Sequence, residues 1–597
     1  FLILKKQKIK DKWRIFIFEE TLFFICLTVW SFIRGFQPEI HGLEKFMDFG
    51  FVNSLLRSQF FPPADMWLAG QNINYYYFGH LVTAVLTKLS GLDSAITYNL
   101  MIATLFGLSF TAAFSLEGNL ISFVIRKTKY VKRNKNHYLL IIAGGLLSAL
   151  ILTLGGNFHP LYWFLTHHFS FINYWYPDAT RFIVEQFGAA DNTIHEFPIY
   201  SFVVADLHGH LLNLPFVLLF LGLVFSFLVN KKFTIGNIVF PALLLGIFYM
   251  TNAWDLPIYF LILGFTVLWS NYLNYGYDWK TISRTFFFIA GCLILTIIFT
   301  SPFIFNFKSI TSGISLTDFH SPTWMLLVLW GFPLLITISF LLFLRKKTKS
   351  QLLVSDYFSL ILLSVAWFLI IMPEVIYVKD IYIHSYQRAN TMFKFTYQSF
   401  VMFSLSSGYI IFRILTSLKK YILKILFSLF FILCSIFIFV YPYFAIHSFY
   451  GFQKYQGLNG LVYLNNLYPA DYEAILWLRE NIKGQPAILE AVGESYTDFA
   501  RVSANTGLPT ILGWRVHEWL WRGSFDEPSK RTEDVKTIYE TNNLEQTKEL
   551  LNKYHISYVF IGNLERETYP QLEEVKFAKI GKRVFEKNQT IIYQLNP

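Results

Sequence analysis

Charge is scarce in this chain. Of its 597 residues only 15% are Asp, Glu, Lys or Arg, against roughly 25% in soluble globular domains, too few to cover a soluble fold of this length with polar surface. Cysteine is rarer still. Cys26, Cys292 and Cys434 all lie in apolar runs and none in a polar loop, which excludes a disulfide framework and a zinc knuckle. No stretch has phosphate-loop spacing, since "GESYTDFARVS" holds Gly, Ser and Thr without the pattern, and no nucleotide is expected. The chain also begins without Met, and "KKQKIKDKWR" leads into an apolar run with no small-residue cleavage site. No cleavable signal is expected, and the sequence reads as truncated at its N-terminus.

What is present is apolar: 54% hydrophobic residues, with 19% aromatic. Runs of the roughly 20 residues needed to cross a hydrocarbon core of about 30 Å recur almost to residue 446. They predict eleven spans, at 18–36, 96–125, 138–156, 199–229, 234–250, 257–274, 286–305, 323–344, 355–373, 393–415 and 421–446. The expected fold class is an α-helical polytopic membrane protein, with a transmembrane domain over 1–446. A small extracytoplasmic α/β domain follows over 447–597, where helix patterns at "DYEAILWLRENIKG" and up to residue 552 alternate with strand patterns at "PAILEA", "PTILGW", "YHISYVFIG" and "TIIYQL".

Charge sets the expected orientation. With the N-terminus of this chain inside, segments 1–14, 126–137, 230–233, 275–285, 345–354 and 416–420, with the flanking Arg413 and Lys424, hold 24 Lys and Arg. The opposite segments, 37–95, 157–198, 251–256, 306–322 and 374–392, hold 7. This asymmetry predicts a multi-pass protein of the cytoplasmic membrane with its C-terminal domain outside. It also accounts for the formal +11 charge without nucleic acid as a partner.

The polar chemistry gathers in the outer loops, chiefly 37–95 and 157–198. In "LEKFMDFGFVNSLLRSQFFPP", Asp48 precedes an amphipathic stretch stopped by Pro62 and Pro63, the pattern of a helix lying in the membrane interface. Asp48 reads either as a general base over a lipid-linked substrate or as the N-cap of that helix. In "ADLHGH", Asp206, His208 and His210 suit either a divalent metal or a phosphate, against the plainer reading of a hydrogen-bonded span entrance. "TNAWDLP" contributes Asn252, Trp254 and Asp255. In "QRANTMFKF", Arg388, Asn390 and Lys394 place two cations at the outer end of a span, which suits phosphate or ion pairing with Asp255 or Glu374. "NINYYYFGH" sets Asn74, Tyr75, Tyr76, Tyr77 and His80 at the head of an apolar run. Ring faces for stacking and polar groups for hydroxyls read as sugar recognition, where an interfacial aromatic belt explains only part of the set. In the C-terminal domain, "GWRVHEWLWRG" reads as a glycan platform or as a structural hairpin or lid.

"PPADMWLAG", "NINYYYFGH", "DLHGH", "TNAWDLP", "QRANTMFKF" and "TGLPTILGWRVHEWLWRG", in this order over nearly the whole chain, resemble the bacterial and archaeal YYY-motif membrane protein family. The layout is similar, more loosely, to the GT-C glycosyltransferase superfamily. That resemblance implies that "EKFMD" is the acidic first-loop motif, with Asp48 as catalytic base and Glu44 as its auxiliary. The chain departs from the superfamily's adjacent acidic pair, because Glu44 and Asp48 are four residues apart. The function expected is an inverting transfer of sugar from a polyprenyl-phosphate-linked donor to a glycan, lipid or protein acceptor at the outer face, in contact with membrane lipids. Arg388, Lys394, His208 and His210 would hold the phosphate. No cofactor is assigned, and a divalent metal at Asp206, His208 and His210 stays open. The competing expectations are a transporter or flippase for lipid-linked or anionic solutes, and a non-catalytic polysaccharide-binding scaffold. No internal repeat was found to support transport.

Overall fold

A computed structural model describes residues 13–127, 137–230, 235–380, 382 and 384–595. In chain order the first helices are α1 (Trp13–Arg34), α2 (Lys45–Arg57), α3 (Phe78–Ser90), α4 (Ser94–Lys127), α5 (His137–Leu154), α6 (His159–Thr166), α7 (Pro198–Val204) and α8 (Gly209–Asn230). There follow α9 (Val239–Thr251), α10 (Asp255–Tyr275), α11 (Trp279–Ile304), α12 (Thr323–Arg345), α13 (Val354–Ile371), α14 (Ala389–Ser417) and α15 (Tyr421–Tyr450). Among the described residues nine helices are long and apolar enough to cross a membrane, or ten if α5 and α6, bent by 69° at their junction, count as one span. The expected eleven are therefore corrected. Residues 234–250 yield only α9, whose 13 residues rise about 20 Å at 1.5 Å per residue, short of the hydrocarbon thickness.

The expected span at 199–229 is broken. Helix α7 ends on Ala205 in a left-handed conformation (φ 59°), and α8 starts only at Gly209. A buried break between helices frees backbone groups that must find partners. The buried Tyr98 phenol serves them, donating to the Ala205 carbonyl (3.2 Å) and accepting from the Leu207 amide (3.3 Å). Gly209 then lets α8 start against the end of α9, because a Cβ there would lie 2.2 Å from the Thr251 carbonyl oxygen. Asp206 and His208 are thereby set beside Asn252 and Trp254.

Helix α2 is not the exposed interfacial helix that its pattern predicts. All of Lys45–Leu55 is buried, and its partner is the C-terminal α/β segment. There helices α16 (Val462–Leu467), α17 (Pro469–Asn481), α18 (Arg501–Thr506) and α19 (Arg515–Arg522) precede or flank a four-stranded sheet. Short strands β1 (Gly313–Leu316) and β2 (Ile376–Lys379) pair elsewhere as an antiparallel ribbon. The main sheet orders β3 (Ala487–Leu489), β4 (Ile556–Ile561), β6 (Thr590–Leu595) and β5 (Gly581–Lys587) as β3-β4-β6-β5. Its β3–β4 pair is parallel and the rest antiparallel. "PTILGW" forms only isolated bridges at Thr510 and Trp514 rather than a strand, and β5 had no sequence expectation.

The join between α2 and α18 is tight. Asn53 donates to the Ala504 carbonyl (2.9 Å), and Gly507, at φ 72°, sits where a Cβ would meet the Asn53 backbone carbon at 2.4 Å. A left-handed L-residue costs about 1–2 kcal/mol before any clash. Gly507→Ala is therefore expected to loosen the C-terminal segment from α2, read as a lower melting temperature in detergent and faster proteolysis after residue 450. A wild-type melting curve would refute this account of the join.

Candidate functional site

One cavity of about 470 Å³ lies where the loops at one end of the bundle meet the C-terminal segment. Residues far apart in sequence form its walls: Glu44 and Tyr75, then Arg181 and Glu196, then Asp206 and His208. Asn252 and Trp254 follow from the α9–α10 turn, Asp380, Tyr382, Asn390 and Lys394 from the approach to α14, and Tyr496, His517 and Trp521 from the C-terminal segment. With Phe307, Lys308, Ser309, Ile310 and Thr311 from the α11–α12 loop, membrane-domain loops far apart in sequence thus share one chamber.

Glu44 is its electrostatic centre. It stands at the N-cap of α2 and places Oε2 2.8 Å from His208 Nδ1. Its Oε1 accepts from the Tyr496 phenol at 3.2 Å, with His517 Nε2 at 3.8 Å. Burial alone would raise this carboxyl, yet His208 and then His517 hold it well below the usual carboxylate range. For His208 the balance runs the other way: burial lowers it, and the Glu44 carboxylate raises it above its ordinary value. Asp206 is pushed up to about 7 by burial, against the opposing Lys45 ammonium and with Asp48 and Glu44 adding to the rise. Lys45 Nζ is 3.5 Å from Asp206 Oδ1, and that oxygen has no hydrogen-bond partner.

The three tyrosines fan apart. Tyr75 places its hydroxyl 3.0 Å from His208 Nε2 and its ring beside Phe51 and Trp521 (5.8 and 5.5 Å between centroids). Tyr76 also reaches the cavity wall but packs on Phe307 (5.2 Å). Tyr77 caps α3, packs on Phe303 (5.4 Å) and is off the wall.

Several expected site residues stand elsewhere or are already engaged. Asp48 is fully buried, inside α2 rather than at its cap, and its Oδ1 lies 2.9 Å from His80 Nε2. Neither Asp48 nor His80 lines the cavity, so both the base and the N-cap readings of Asp48 are corrected. Arg388 is also sealed in. It makes paired contacts with Asp191 (2.6 and 2.9 Å) and reaches Glu374 at 2.9 Å, so its donors serve internal acids rather than a cavity phosphate. Asp255 is buried off the wall and accepts from Asn213 and Gln398. Asn74 touches the wall, but its amide is spent on the Lys308 and Trp521 backbones. Asn390 donates to Asp380 (2.9 Å). Asn252, Trp254, His210 and Lys394 are on the wall, and His210 Nε2 is 3.1 Å from the Ser201 hydroxyl. Lys394 lies 4.3 Å from the Phe393 ring centre, and no carboxylate among the described residues pairs with it.

The metal reading does not fit. Both ring nitrogens of His208 are occupied, by Glu44 and Tyr75, Asp206 faces Lys45, and His210 reaches Ser201. Among the described residues no group of three or more His, Cys, Asp or Glu is arranged to hold an ion. The sequence reading also left out Arg181, bonded to Glu196 at 2.7 Å, and Asp380, Tyr382 and Tyr496. No local pattern marks them, because the loops that carry them meet only in three dimensions.

The fold and cavity define a polytopic helical membrane protein with a charged, aromatic-walled chamber at one end of its bundle. The chain belongs to the uncharacterized membrane protein family DUF2298, whose model matches residues 1–357 and 345–403. No curated protein matches it. Among solved structures it is similar to the archaeal oligosaccharyltransferase AglB from Archaeoglobus fulgidus in complex with an inhibitory peptide and a dolichol-phosphate. There the identity is 10% and the TM-score 0.43, with 97% of this chain and 74% of that one covered. It is also similar to the apo form of the Archaeoglobus fulgidus oligosaccharyltransferase, at 9% identity and a TM-score of 0.43, covering 98% of this chain and 75% of that one.

Because His208 is raised, the stability it contributes is fully present below its unfolded value of about 6.5 and is lost as pH rises through the raised folded value. Glu44→Gln removes the cause of the rise. The variant is expected to lose about 1–3 kcal/mol, with the gap in melting temperature widest below pH 6.5 and narrowing towards alkaline pH. A gap that stays constant across that range would contradict the assignment of the His208 shift to Glu44.

Proposed function

We propose that this protein is a GT-C type membrane glycosyltransferase that takes a polyprenyl-phosphate-linked sugar and passes the sugar to an acceptor hydroxyl at the outer face of the cytoplasmic membrane. The observation that carries this reading is the joint presence, on one cavity wall, of an unpaired ammonium, Lys394, and a carboxylate poised near neutrality, Asp206. An ammonium buried without a carboxylate invites an anionic ligand, and a carboxyl near 7 suits proton transfer at physiological pH.

In the reaction Asp206 takes the proton of the acceptor hydroxyl. The acceptor oxygen attacks the anomeric carbon from the face opposite the phosphate, forming the new glycosidic bond as the bond from carbon to phosphate oxygen breaks. The electron pair leaves on polyprenyl phosphate, whose added charge Lys394 stabilises, and the anomeric configuration inverts. Trp254, Tyr76 and Trp521 supply ring faces for the sugar. Residues 1–446 hold the donor in this scheme, and residues 447–597 close over the acceptor side.

Topology supports the reading. Loop residues on both sides of the α4–α5 pair, and on both sides of the α8–α9 pair, line one chamber. Each pair therefore runs out and back, α9 without matching the hydrocarbon thickness by itself. The Lys and Arg asymmetry then favours an outer position for the chamber. Among the described residues no wall residue comes from the opposite end of the bundle, which favours transfer over a transport path.

Asp206→Asn is expected to lower transfer by 10²–10⁴ and Lys394→Met by roughly 10²–10³, measured with purified protein and a radiolabelled polyprenyl-phosphate sugar. The wild-type rate should rise with pH to a plateau above about pH 7, as Asp206 loses its proton, and Asp206→Asn should remove that limb. Mass spectrometry of lipids extracted from the purified protein should find a prenyl phosphate or its sugar ester. Full transfer by Asp206→Asn, or extracts free of prenyl phosphates from an active preparation, would sink the proposal.

A further inference from the structure

Tyr75, His208 and Glu44 make a hydrogen-bonded chain that ends in the cavity. Glu44 Oε2 is 2.8 Å from His208 Nδ1 and the Tyr75 oxygen is 3.0 Å from His208 Nε2, so the ring's proton count decides what Tyr75 offers. In the neutral ring the carboxylate keeps the proton on Nδ1, the phenol donates to the bare Nε2, and Tyr75 presents only a lone pair to the cavity. In the imidazolium Nε2–H donates to the phenol oxygen, and the phenol O–H is released as a donor. We propose that Tyr75 is a proton-gated donor to a phosphate oxygen of the substrate, with His208 and Glu44 as positioning residues that set the gate. This deepens the reading of the chamber as a prenyl-phosphate-sugar site and rests on it.

The surroundings of the ring fit such a gate. Glu44 and Asp48 act on it from α2, Asp206 from the helix break and Lys394 from α14, and the His210 ring from α8 is 5.3 Å away. Burial opposes the imidazolium and Glu44 more than restores it, so its ordinary value is exceeded. Tyr496 and His517 attend the other Glu44 oxygen. A phosphate bound to Tyr75 adds negative charge beside the imidazolium. Binding and protonation therefore reinforce each other, and affinity must fall as pH rises through the His208 transition. Lys394 offers the same anion a contact that does not depend on His208.

The test is equilibrium binding of farnesyl methyl phosphate to the full chain in detergent between pH 5.5 and 9. This diester keeps one charge throughout, so any pH dependence belongs to the protein. The wild type is expected to bind about tenfold more tightly at the acid end. Tyr75→Phe, which removes one oxygen, should bind about tenfold more weakly at the acid end and show a flat profile, and Glu44→Gln should move the transition to lower pH. A Tyr75→Phe profile that parallels the wild type would overturn the gate while leaving the transferase reading intact. Absence of binding to the wild type would overturn the gate and the lipid-phosphate donor together. Dimethyl phosphate separates the sources: equal affinity with the same Tyr75 dependence supports the gate and removes the prenyl chain from the reading. A His208→Gln variant that keeps the wild-type melting temperature but loses the pH dependence would separate gating from misfolding, and one that keeps the dependence would overturn the gate.

Discussion

The contact on which the chamber depends is the Glu44 carboxylate, held between His208 on one side and Tyr496 and His517 on the other. A carboxylate withdrawn from water costs several kcal/mol unless it is paired and hydrogen-bonded. Here the partners come from two parts of the chain separated by nearly three hundred residues, the helix break before α8 and the segment around α19. Satisfying one charge therefore fixes the distance between two walls. The aromatic join beneath it, where Trp67 stacks on Trp521 at 5.8 Å and meets Trp514 at 4.8 Å, is non-directional and sets only proximity. The carboxylate sets register.

The same energetic rule separates structural charges from candidate ligand-binding ones. Arg388 with Asp191 and Glu374, Arg413 with Asp356, and Arg501 with Asp471 and Glu565 are all buried and internally neutralised. Removing either member of such a pair leaves the other stranded, so these side chains hold helices and loops together. Lys394 is buried to a similar degree without a carboxylate. The difference between it and Arg388, six residues away on the same helical approach, is visible only when their neighbours are known.

That is also where the sequence stops being legible. Long apolar runs gave nine of the helices, because hydropathy over about twenty residues reports a property of the run itself. It could not show the break at 205–208, since Asp206 and His208, set between apolar residues, vanish in such an average, nor the shortness of α9. The pattern marked α2 as a helix, but it read a lipid interface where the helix is buried over Lys45–Leu55 and packs on α18. The blocks around Tyr75, His208, Asn252 and Lys394 were legible as a convergent set, because ionisable and aromatic groups at span ends are costly to leave unpartnered. Which acid of the Glu44 and Asp48 pair faces the cavity was not. The two are one helical turn apart, and their fates differ because Glu44 occupies the cap, at the open end of α2, while Asp48 is drawn under it to meet His80.

The tyrosine triplet shows why a run of identical residues can carry three different jobs. At a junction between loop and helix, successive side chains point in different directions, so Tyr75 and Tyr76 reach the chamber wall while Tyr77 turns away from it. Tyr77 anchors the start of α3 against Phe303, and Tyr76 braces the turn against Phe307. A phenol that exchanges hydrogen-bond direction with an imidazole 3.0 Å away needs its ring held still, since a rotation of a few tenths of an ångström at the oxygen would trade that bond for water. Tyr76, Trp521 and Phe51 pack on the Tyr75 ring at 5.2, 5.5 and 5.8 Å between centroids and supply that rigidity, and the chemistry offered to the chamber is then set by a single proton on His208.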